Sequence, residues 1–203
     1  MFDKFALKVT KPAVDRLASM AIAQQITPDQ MTFASLGLGL FASVLIALGL
    51  PLLALLPLLA GRIADGLDGA MARANGAQSD RGAFLDIALD FVFYASVPLA
   101  FATANPASNA LAGAVLLAAF VTTGTSFLAY ASLAAKRGEK SSDYPTKGIY
   151  YLGGITEGAE TILMFSLCCL WPSWFPLLAY IYAALCGFTT FTRIKAGFER
   201  FGK

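Results

Sequence analysis

Six long apolar stretches, each bounded by turn-forming residues, constrain this chain more than any other feature. They cover residues 31–49, 51–72, 83–104, 108–135, 148–170 and 175–193. Each is near the ~20 residues that an α-helix needs to cross the hydrocarbon core of a bilayer. Of the 203 residues, 57% are hydrophobic and only 14% are charged, which excludes an ordinary soluble domain. We therefore predict an all-α polytopic membrane protein with six transmembrane helices, formed by a single domain over residues 1–203.

The segment before the first span, residues 1–26, mixes charged with apolar side chains. Its apolar positions recur near helical spacing and are Leu7, Val14, Leu17, Met20 and Ala21. This pattern predicts an amphipathic helix on the cytoplasmic membrane surface, whereas the lysines interrupt the apolar core that a signal peptide needs. Thr27, Pro28 and Gln30 then form the sequence signature of a helix N-cap, so the transmembrane bundle is expected over residues 27–203.

The basic residues fall on one side of the predicted topology. Of the 15 Lys and Arg side chains, 14 lie in the N-terminal segment, around the polar loops 73–82 and 136–147, or toward the C-terminal end, and Arg62 lies within the second span. The turns near residues 50, 105 and 172 have none. The positive-inside bias therefore places both termini in the cytoplasm. The formal net charge is only +2, so the chain has no basic surface suited to nucleic acid.

Four aspartates lie inside or at the cytoplasmic ends of the second and third spans, where carboxylates are costly and usually mark function. Asp65 and Asp68 are three residues apart, and Asp86 and Asp90 are four apart, so each pair faces one side of its own helix. A short loop joins the two spans, which predicts an antiparallel hairpin in which Asp65 lies level with Asp90, and Asp68 with Asp86. We therefore expect the four carboxylates to converge; the alternative is a set of unrelated helix-end charges.

A divalent metal is the expected counter-charge for these acids. The chain has no histidine and only three cysteines, so a Cys/His zinc site is improbable. All-oxygen ligation by Asp65, Asp68, Asp86 and Asp90 favours Mg²⁺ or Mn²⁺ over Ca²⁺. Two ions ~3.5–4 Å apart would suit so many carboxylates, and that arrangement serves phosphoryl displacement.

Small residues and an arginine between the acids fit a phosphate ligand. Gly66, Gly69 and Gly82 remove side chains from the hairpin face, and Ala72 keeps the helix surface open. Arg73 is placed to bind a phosphate through its planar fork. For any single glycine, close packing of helices in the membrane is an equally good explanation.

These residues resemble a known family signature. The run Asp65-Gly-Leu-Asp68-Gly69-Ala-Met-Ala72-Arg73, followed at fixed spacing by Gly82, Asp86 and Asp90, matches the CDP-alcohol phosphotransferase pattern D-x-x-D-G-x-x-A-R-x8-G-x3-D-x3-D at every fixed position. The chain is most similar to an uncharacterised proteobacterial inner-membrane branch of that family. The resemblance covers most of the chain and implies six transmembrane helices after a surface helix, a homodimer, and an active site on the cytoplasmic side of the bacterial inner membrane.

The resemblance also implies residue roles and a reaction. Asp65, Asp68 and Asp86 would ligate the metals, and Asp90 would both contribute to ligation and act as general base. The residues implied in CDP binding are Asp65, Gly69, Ala72, Arg73 and Gly82. The reaction would transfer a phosphatidyl group from CDP-diacylglycerol to the hydroxyl of a small polar alcohol, releasing CMP, in phospholipid biosynthesis.

Two alternative functions remain at this point. One is the transfer of a phospho-alcohol from a soluble CDP-alcohol to a lipid hydroxyl. The other is a cation transporter that uses the same carboxylates as an ion path. Apart from Glu160 near the middle of the fifth span, the outer halves of the predicted spans contain no charged residue. This argues against the transporter, because a charged solute would meet a closed apolar half.

Four residues are candidates for the acceptor pocket. Lys147 belongs to a cationic rim that would suit a phosphorylated acceptor, although the positive-inside flank of a span explains the same charges. Glu157 and Glu160, expected on one face of the fifth span, would contact a hydroxylated or ammonium-bearing acceptor or would pair with Arg193 of the sixth span. Two acids argue against a strictly anionic acceptor.

Overall fold

A computed structural model describes residues 2–138 and 154–202, with side chains from residue 12 onward. All regular structure in these residues is helical, which confirms the all-α prediction. The elements are α1 (Phe2–Ala23), α2 (Pro28–Ala47), α3 (Pro51–Ala74), α4 (Asp80–Ala104), α5 (Pro106–Lys136), α6 (Gly158–Leu170), a 3₁₀ turn (Pro172–Trp174) and α7 (Phe175–Phe201). Six helices thus follow the N-terminal helix, as predicted.

Most of these helices are built to cross a bilayer. Four segments are long and apolar enough by themselves, namely Pro28–Ala47, Asp80–Ala104, Pro106–Lys136 and Pro172–Phe201. α3 has 24 residues but carries the charged residues Arg62, Asp65 and Asp68, and α6 is apolar but has only 13 residues. Many large apolar side chains face outward, among them Leu56 and Phe198, which are 78% and 84% exposed. An apolar exterior of this kind is that of a membrane protein.

The N-terminal helix packs on the third helix. Ala18 and Ala21 of α1 form an apolar cluster with Leu67 and Met71 of α3. Leu17 and Met20, on the predicted apolar face, are exposed, as side chains facing a membrane surface would be. The face of α1 that touches the bundle is therefore lined by small residues, which allow close approach to α3.

α2 is the main packing partner of both α3 and α4. It begins as predicted: Thr27 is the N-cap, its hydroxyl accepts a hydrogen bond from the Gln30 backbone N–H, and the Gln30 side chain accepts one from the Thr27 backbone N–H. Gly61 of α3 approaches α2 so closely that an added Cβ would lie 3.1 Å from the Ser35 carbonyl oxygen. α3 and α4 therefore pack mainly on α2 and not directly on each other as a hairpin.

The fifth predicted span, residues 148–170, starts differently from the prediction. Residues 139–153 lie outside the described part of the chain, and the helix itself begins at Gly158. Glu157 is the N-cap with an extended backbone, and its carbonyl oxygen accepts hydrogen bonds from the backbone N–H and the hydroxyl of Thr161. The prediction that Glu157 and Glu160 both project from the body of this helix was therefore wrong for Glu157. The last helix is also longer than predicted, since α7 continues to Phe201.

Candidate metal and nucleotide site

Three of the four predicted aspartates come together where α3 ends and α4 begins. One carboxylate oxygen from each of Asp65, Asp68 and Asp86 lies within 4.8 Å of the other two. Asp68 is buried, Asp65 is half-buried and Asp86 is exposed, so the group opens from the protein interior toward the surface. Three carboxylates at this separation form a dense negative site that a divalent cation would neutralise.

The buried member of this group is anchored by α2. The hydroxyl of Thr32 lies 2.6 Å from Asp68 Oδ2 and donates a hydrogen bond to it. Thr32 is itself only 6% exposed, because it sits where α2 crosses α3. One oxygen of Asp68 is thus fixed in orientation by a neighbouring helix. The sequence did not predict a site role for Thr32. It gave one signal for it: Thr27-Pro28-Asp29-Gln30-Met31-Thr32 resembles the Thr-Pro-Asn-x-x-Thr start of the first span in the CDP-alcohol phosphotransferase family, with Thr32 in register.

Asp90 stands apart from the three-aspartate group and forms an ion pair with Arg62. Arg62 Nη1 lies 2.7 Å from Asp90 Oδ1 and 3.5 Å from Asp65 Oδ2. Asp65 and Asp90 were predicted to lie at the same height, and both contact the guanidinium of Arg62. The position of Arg62 one helical turn before Asp65 is the only feature of the sequence that hints at this contact.

A small recess lies between α2, α3 and α4 at this level. Its lining residues are Thr32, Ser35, Leu36, Arg62, Asp65, Asp86, Leu89 and Asp90. All the aspartates of the site except Asp68 line it directly. The recess therefore joins the two parts of the acidic site, the three-aspartate group and the Arg62–Asp90 pair.

The glycines of the motif differ in their surroundings. A Cβ added to Gly66 would meet nothing within 4 Å among the described residues, whereas one added to Gly69 would lie 3.2 Å from Nη1 of Arg73. At Gly82 the nearest atom would be the Ser79 hydroxyl oxygen at 3.4 Å. Close helix packing therefore does not explain these three glycines. They leave an open surface over which Arg73, which is exposed, lies beside Gly69.

The acceptor candidates lie at the start of α6 and on α7, with Lys147 outside the described residues. Glu157 and Arg193 are buried, and Glu160 is half-buried. Glu157 Oε1 accepts a hydrogen bond from the Gly154 backbone N–H at 3.0 Å. Arg193 turns toward α5, where it donates to the Thr123 carbonyl oxygen at 3.2 Å and lies over the Phe127 ring. Arg193 also lies near the start of α6, since a Cβ added to Gly154 would lie 3.2 Å from Arg193 Nη2. The pairing of Arg193 with Glu157 or Glu160 stays a prediction.

Tyr94 connects the acidic site with the start of α6. Its hydroxyl lies 3.5 Å from Asp90 Oδ2. A Cβ added to Gly158, the first residue of α6, would lie 3.6 Å from that same hydroxyl oxygen. The N-terminal end of α6, with Glu157 as its cap, is therefore a near neighbour of Asp90.

Comparison with known proteins gives both a family and a fold. Residues 25–191 match the family described as CDP-alcohol phosphatidyltransferase. The chain is 48% identical to the inner membrane protein YnjF of Escherichia coli K12, over 98% of this chain and 96% of that protein. It is 37% identical to the archaetidylinositol phosphate synthase of Pyrococcus horikoshii over 48% of this chain and 51% of that protein.

Two solved structures share the fold. The phosphatidylinositol phosphate synthase PgsA1 of Mycobacterium tuberculosis with CDP-DAG bound matches with a TM-score of 0.73 and 18% identity, over 91% of this chain and 93% of that one. The same protein in complex with manganese and citrate matches with a TM-score of 0.71 and 19% identity, over 90% of this chain and 87% of that one. At this identity the likeness establishes the fold alone.

Proposed function

Because this chain belongs to the CDP-alcohol phosphatidyltransferase family, we propose that it transfers a phosphatidyl group from CDP-diacylglycerol to the hydroxyl of a small polar alcohol and releases CMP. The observation that carries this proposal is the approach of the Asp65, Asp68 and Asp86 oxygens to within 4.8 Å of one another beside an exposed Arg73. The carboxylate oxygens suit a divalent metal, and the Arg73 guanidinium on the same open surface suits the diphosphate that the metal would bind.

The donor set fits a hard divalent cation. Every candidate ligand is a carboxylate oxygen, as Mg²⁺ and Mn²⁺ prefer, and a fold relative has been solved with manganese. We assign Asp65, Asp68 and Asp86 as ligands, with Asp90 contributing to a second ion. When bound, the ions would supply positive charge that neutralises the diphosphate and the charge developing on the leaving CMP.

The remaining steps belong to the chain itself. Asp90 accepts the proton of the acceptor hydroxyl while that oxygen attacks the phosphorus of the phosphatidyl group, so one O–P bond forms and the bond to CMP breaks. Arg73 holds the nucleotide's phosphates, and the small residues Gly69, Ala72 and Gly82 let the nucleotide approach the backbone. Asp65 both ligates the metal and contacts the CDP group.

The protein's setting follows from the membrane fold and its charges. We place it in the bacterial inner membrane, because its Escherichia coli relative is an inner membrane protein, and we propose a homodimer from the family resemblance. We further propose that the termini and the acidic site face the cytoplasm, where a nucleotide-linked donor and a polar alcohol are available; the basic loops support this orientation.

The acceptor candidates favour a particular chemistry. Glu157 and Glu160 lie at the end of α6 that neighbours Asp90 through Tyr94 and Gly158. Carboxylates at this position suit an acceptor that offers hydroxyl or ammonium donors, while Lys147 and Arg193 suit a phosphate or carboxylate on the same molecule. We therefore propose a small acceptor that carries both kinds of group.

The test is a reaction of the purified protein with labelled CDP-diacylglycerol and a panel of polar alcohols, with the lipid product identified by mass. We expect CMP release that requires Mg²⁺ or Mn²⁺ and is lost in Asp90→Asn. The matched control is Asp80→Asn, because Asp80 lies on the same helix but is exposed at its first turn. CMP release only from a soluble CDP-alcohol with a lipid hydroxyl would replace the donor assignment, and no CMP from either donor would overturn the proposed function.

A further inference from the structure

Arg62 is a largely buried cation that contacts residues of three helices. Its side chain is 13% exposed. Nη1 binds Asp90 Oδ1 of α4 at 2.7 Å, and Nη2 donates to the Ser35 hydroxyl of α2 at 2.9 Å. The guanidinium also lies 4.5 Å from the centre of the Phe93 ring, which is 1% exposed. Each nitrogen of the fork is thus directed at a different helix.

From this geometry we infer that Arg62 is a positioning residue for Asp90 and that Ser35 acts through Arg62. The inference rests on the proposed function, in which Asp90 removes the acceptor proton. The contact to Asp90, at 2.7 Å, is much shorter than the contact to Asp65, at 3.5 Å, so Arg62 serves Asp90 first. No part of the family signature includes either Arg62 or Ser35.

The arrangement holds one oxygen of Asp90 tightly and the other only loosely. Oδ1 is held by the guanidinium, whereas the nearest donor to Oδ2 is the Tyr94 hydroxyl at 3.5 Å. The acceptor proton therefore goes to Oδ2. A planar fork is needed for this task, since one nitrogen must reach the carboxylate while another stays on the serine, and a lysine ammonium has no such fork.

Ser35 offers a test that leaves every charge of the site in place. Ser35→Ala removes one anchor of Arg62, and Ser43→Ala is its matched control, because Ser43 is a buried serine on the same helix that bonds to Gly39 and Ser96 instead. We expect Ser35→Ala to lower kcat by about three- to tenfold and Arg62→Gln by about 100-fold, since small misplacement of a catalytic group is costly. Arg62→Lys should restore only part of the Arg62→Gln loss.

Two readouts separate positioning from structural damage. The KM for CDP-diacylglycerol and the Mn²⁺ affinity, the latter measured by electron paramagnetic resonance, should stay at the wild-type values in Ser35→Ala, which leaves every carboxylate of the site in place. If Ser35 acts through Arg62, adding Ser35→Ala to Arg62→Gln should lower kcat no further, whereas independent roles would multiply the two losses.

The outcomes also separate this inference from the proposed function. An active wild type in which Ser35→Ala and Ser43→Ala have the same kcat, or in which the Ser35 and Arg62 losses multiply, would overturn the inference and leave the function intact. Full activity in Arg62→Lys would likewise overturn the inference, because Arg62 would then act only as a counter-charge. A wild type that releases no CMP from either kind of donor would overturn the proposed function, on which this inference rests.

Discussion

At the scale of single residues, the acidic site is held by polar contacts that originate on α2. Thr32 fixes Asp68, and Ser35 fixes Arg62, which in turn contacts Asp90. Thr32 and Ser35 are close neighbours on one face of α2. α2 carries none of the predicted metal ligands, yet it sets the orientation of two carboxylates that the family signature supplies from α3 and α4.

The Thr32 hydroxyl gives a prediction about metal affinity. Thr32→Val keeps the shape of the side chain but removes the 2.6 Å hydrogen bond to Asp68, so we expect the Mn²⁺ affinity to fall by about tenfold, as is typical when a ligand's hydrogen-bonding partner is lost. Thr32→Ser retains the hydroxyl and should bind Mn²⁺ nearly as wild type does. Titration by electron paramagnetic resonance measures both; equal affinities for the valine and serine variants would exclude a role for this hydrogen bond.

The sequence predicted the approach of Asp65, Asp68 and Asp86 because helical spacing and a short hairpin loop are local properties. Their roles as ligands stay predictions. The contacts of Thr32, Ser35 and Arg62 were not predictable in the same way, because they depend on how α2 packs against two other helices. No spacing rule within one segment contains that information.

At the scale of elements, the contact between α2 and α4 depends on a glycine. A Cβ added to Gly39 would lie 2.5 Å from Cδ2 of Phe93, whose ring supports the Arg62 guanidinium. Phe93 also packs edge-to-face on Phe165 of α6, so its ring has little room to move. The same close approach therefore serves both the packing of the helices and the position of Arg62.

This contact gives a prediction about stability. Gly39→Ala should destabilise the protein by about 1–3 kcal/mol, since it overpacks a filled interface. Gly37→Ala on the same helix is the control: Gly37 is exposed with nothing within 4 Å among the described residues, so the substitution should be neutral or stabilising by about 0.5–1 kcal/mol. Thermal unfolding in detergent compares them. Equal midpoints for the two variants would show that the α2–α4 interface can relax around the added methyl group.

Hydropathy predicted the order and number of the helices well and their ends less well. Hydropathy predicted that the fifth span starts at residue 148, whereas the described helix starts at Gly158, after Glu157 with its extended backbone. An average over a window of residues responds to apolar content, but an N-cap is set by the backbone angles and hydrogen bonds of one residue. The difference matters for function, because the structure puts Glu157 at the end of α6 beside Tyr94 and not in the body of the helix.

At the scale of the whole molecule, charge is confined to one end of the bundle. The turns near residues 50, 105 and 172 carry no charged side chain, whereas the basic residues flank the opposite ends of the helices. The acidic site lies at the charged end, close to the loop between α3 and α4. The opposite ends of the helices, at the turns near residues 50, 105 and 172, offer no charged group that would continue the acidic site across the bundle.

The native cysteines make this orientation testable by labelling. Cys168, Cys169 and Cys186 are at most 1% exposed, so a membrane-impermeant maleimide should ignore them in the folded protein. Ser173→Cys places a reactive thiol in the exposed turn before α7, and Ala77→Cys places one in the exposed loop between α3 and α4.

If the basic ends face the cytoplasm, intact spheroplasts should label Ser173→Cys and leave Ala77→Cys unlabelled until the membrane is opened. Both variants should react equally in detergent, which controls for the local reactivity of each thiol. The reverse pattern would place the acidic site on the outer face, away from any cytoplasmic nucleotide. Because a CDP-linked donor must present its diphosphate to Asp65, Asp68 and Asp86 from the same side as the acceptor, the proposed reaction and this orientation stand or fall together.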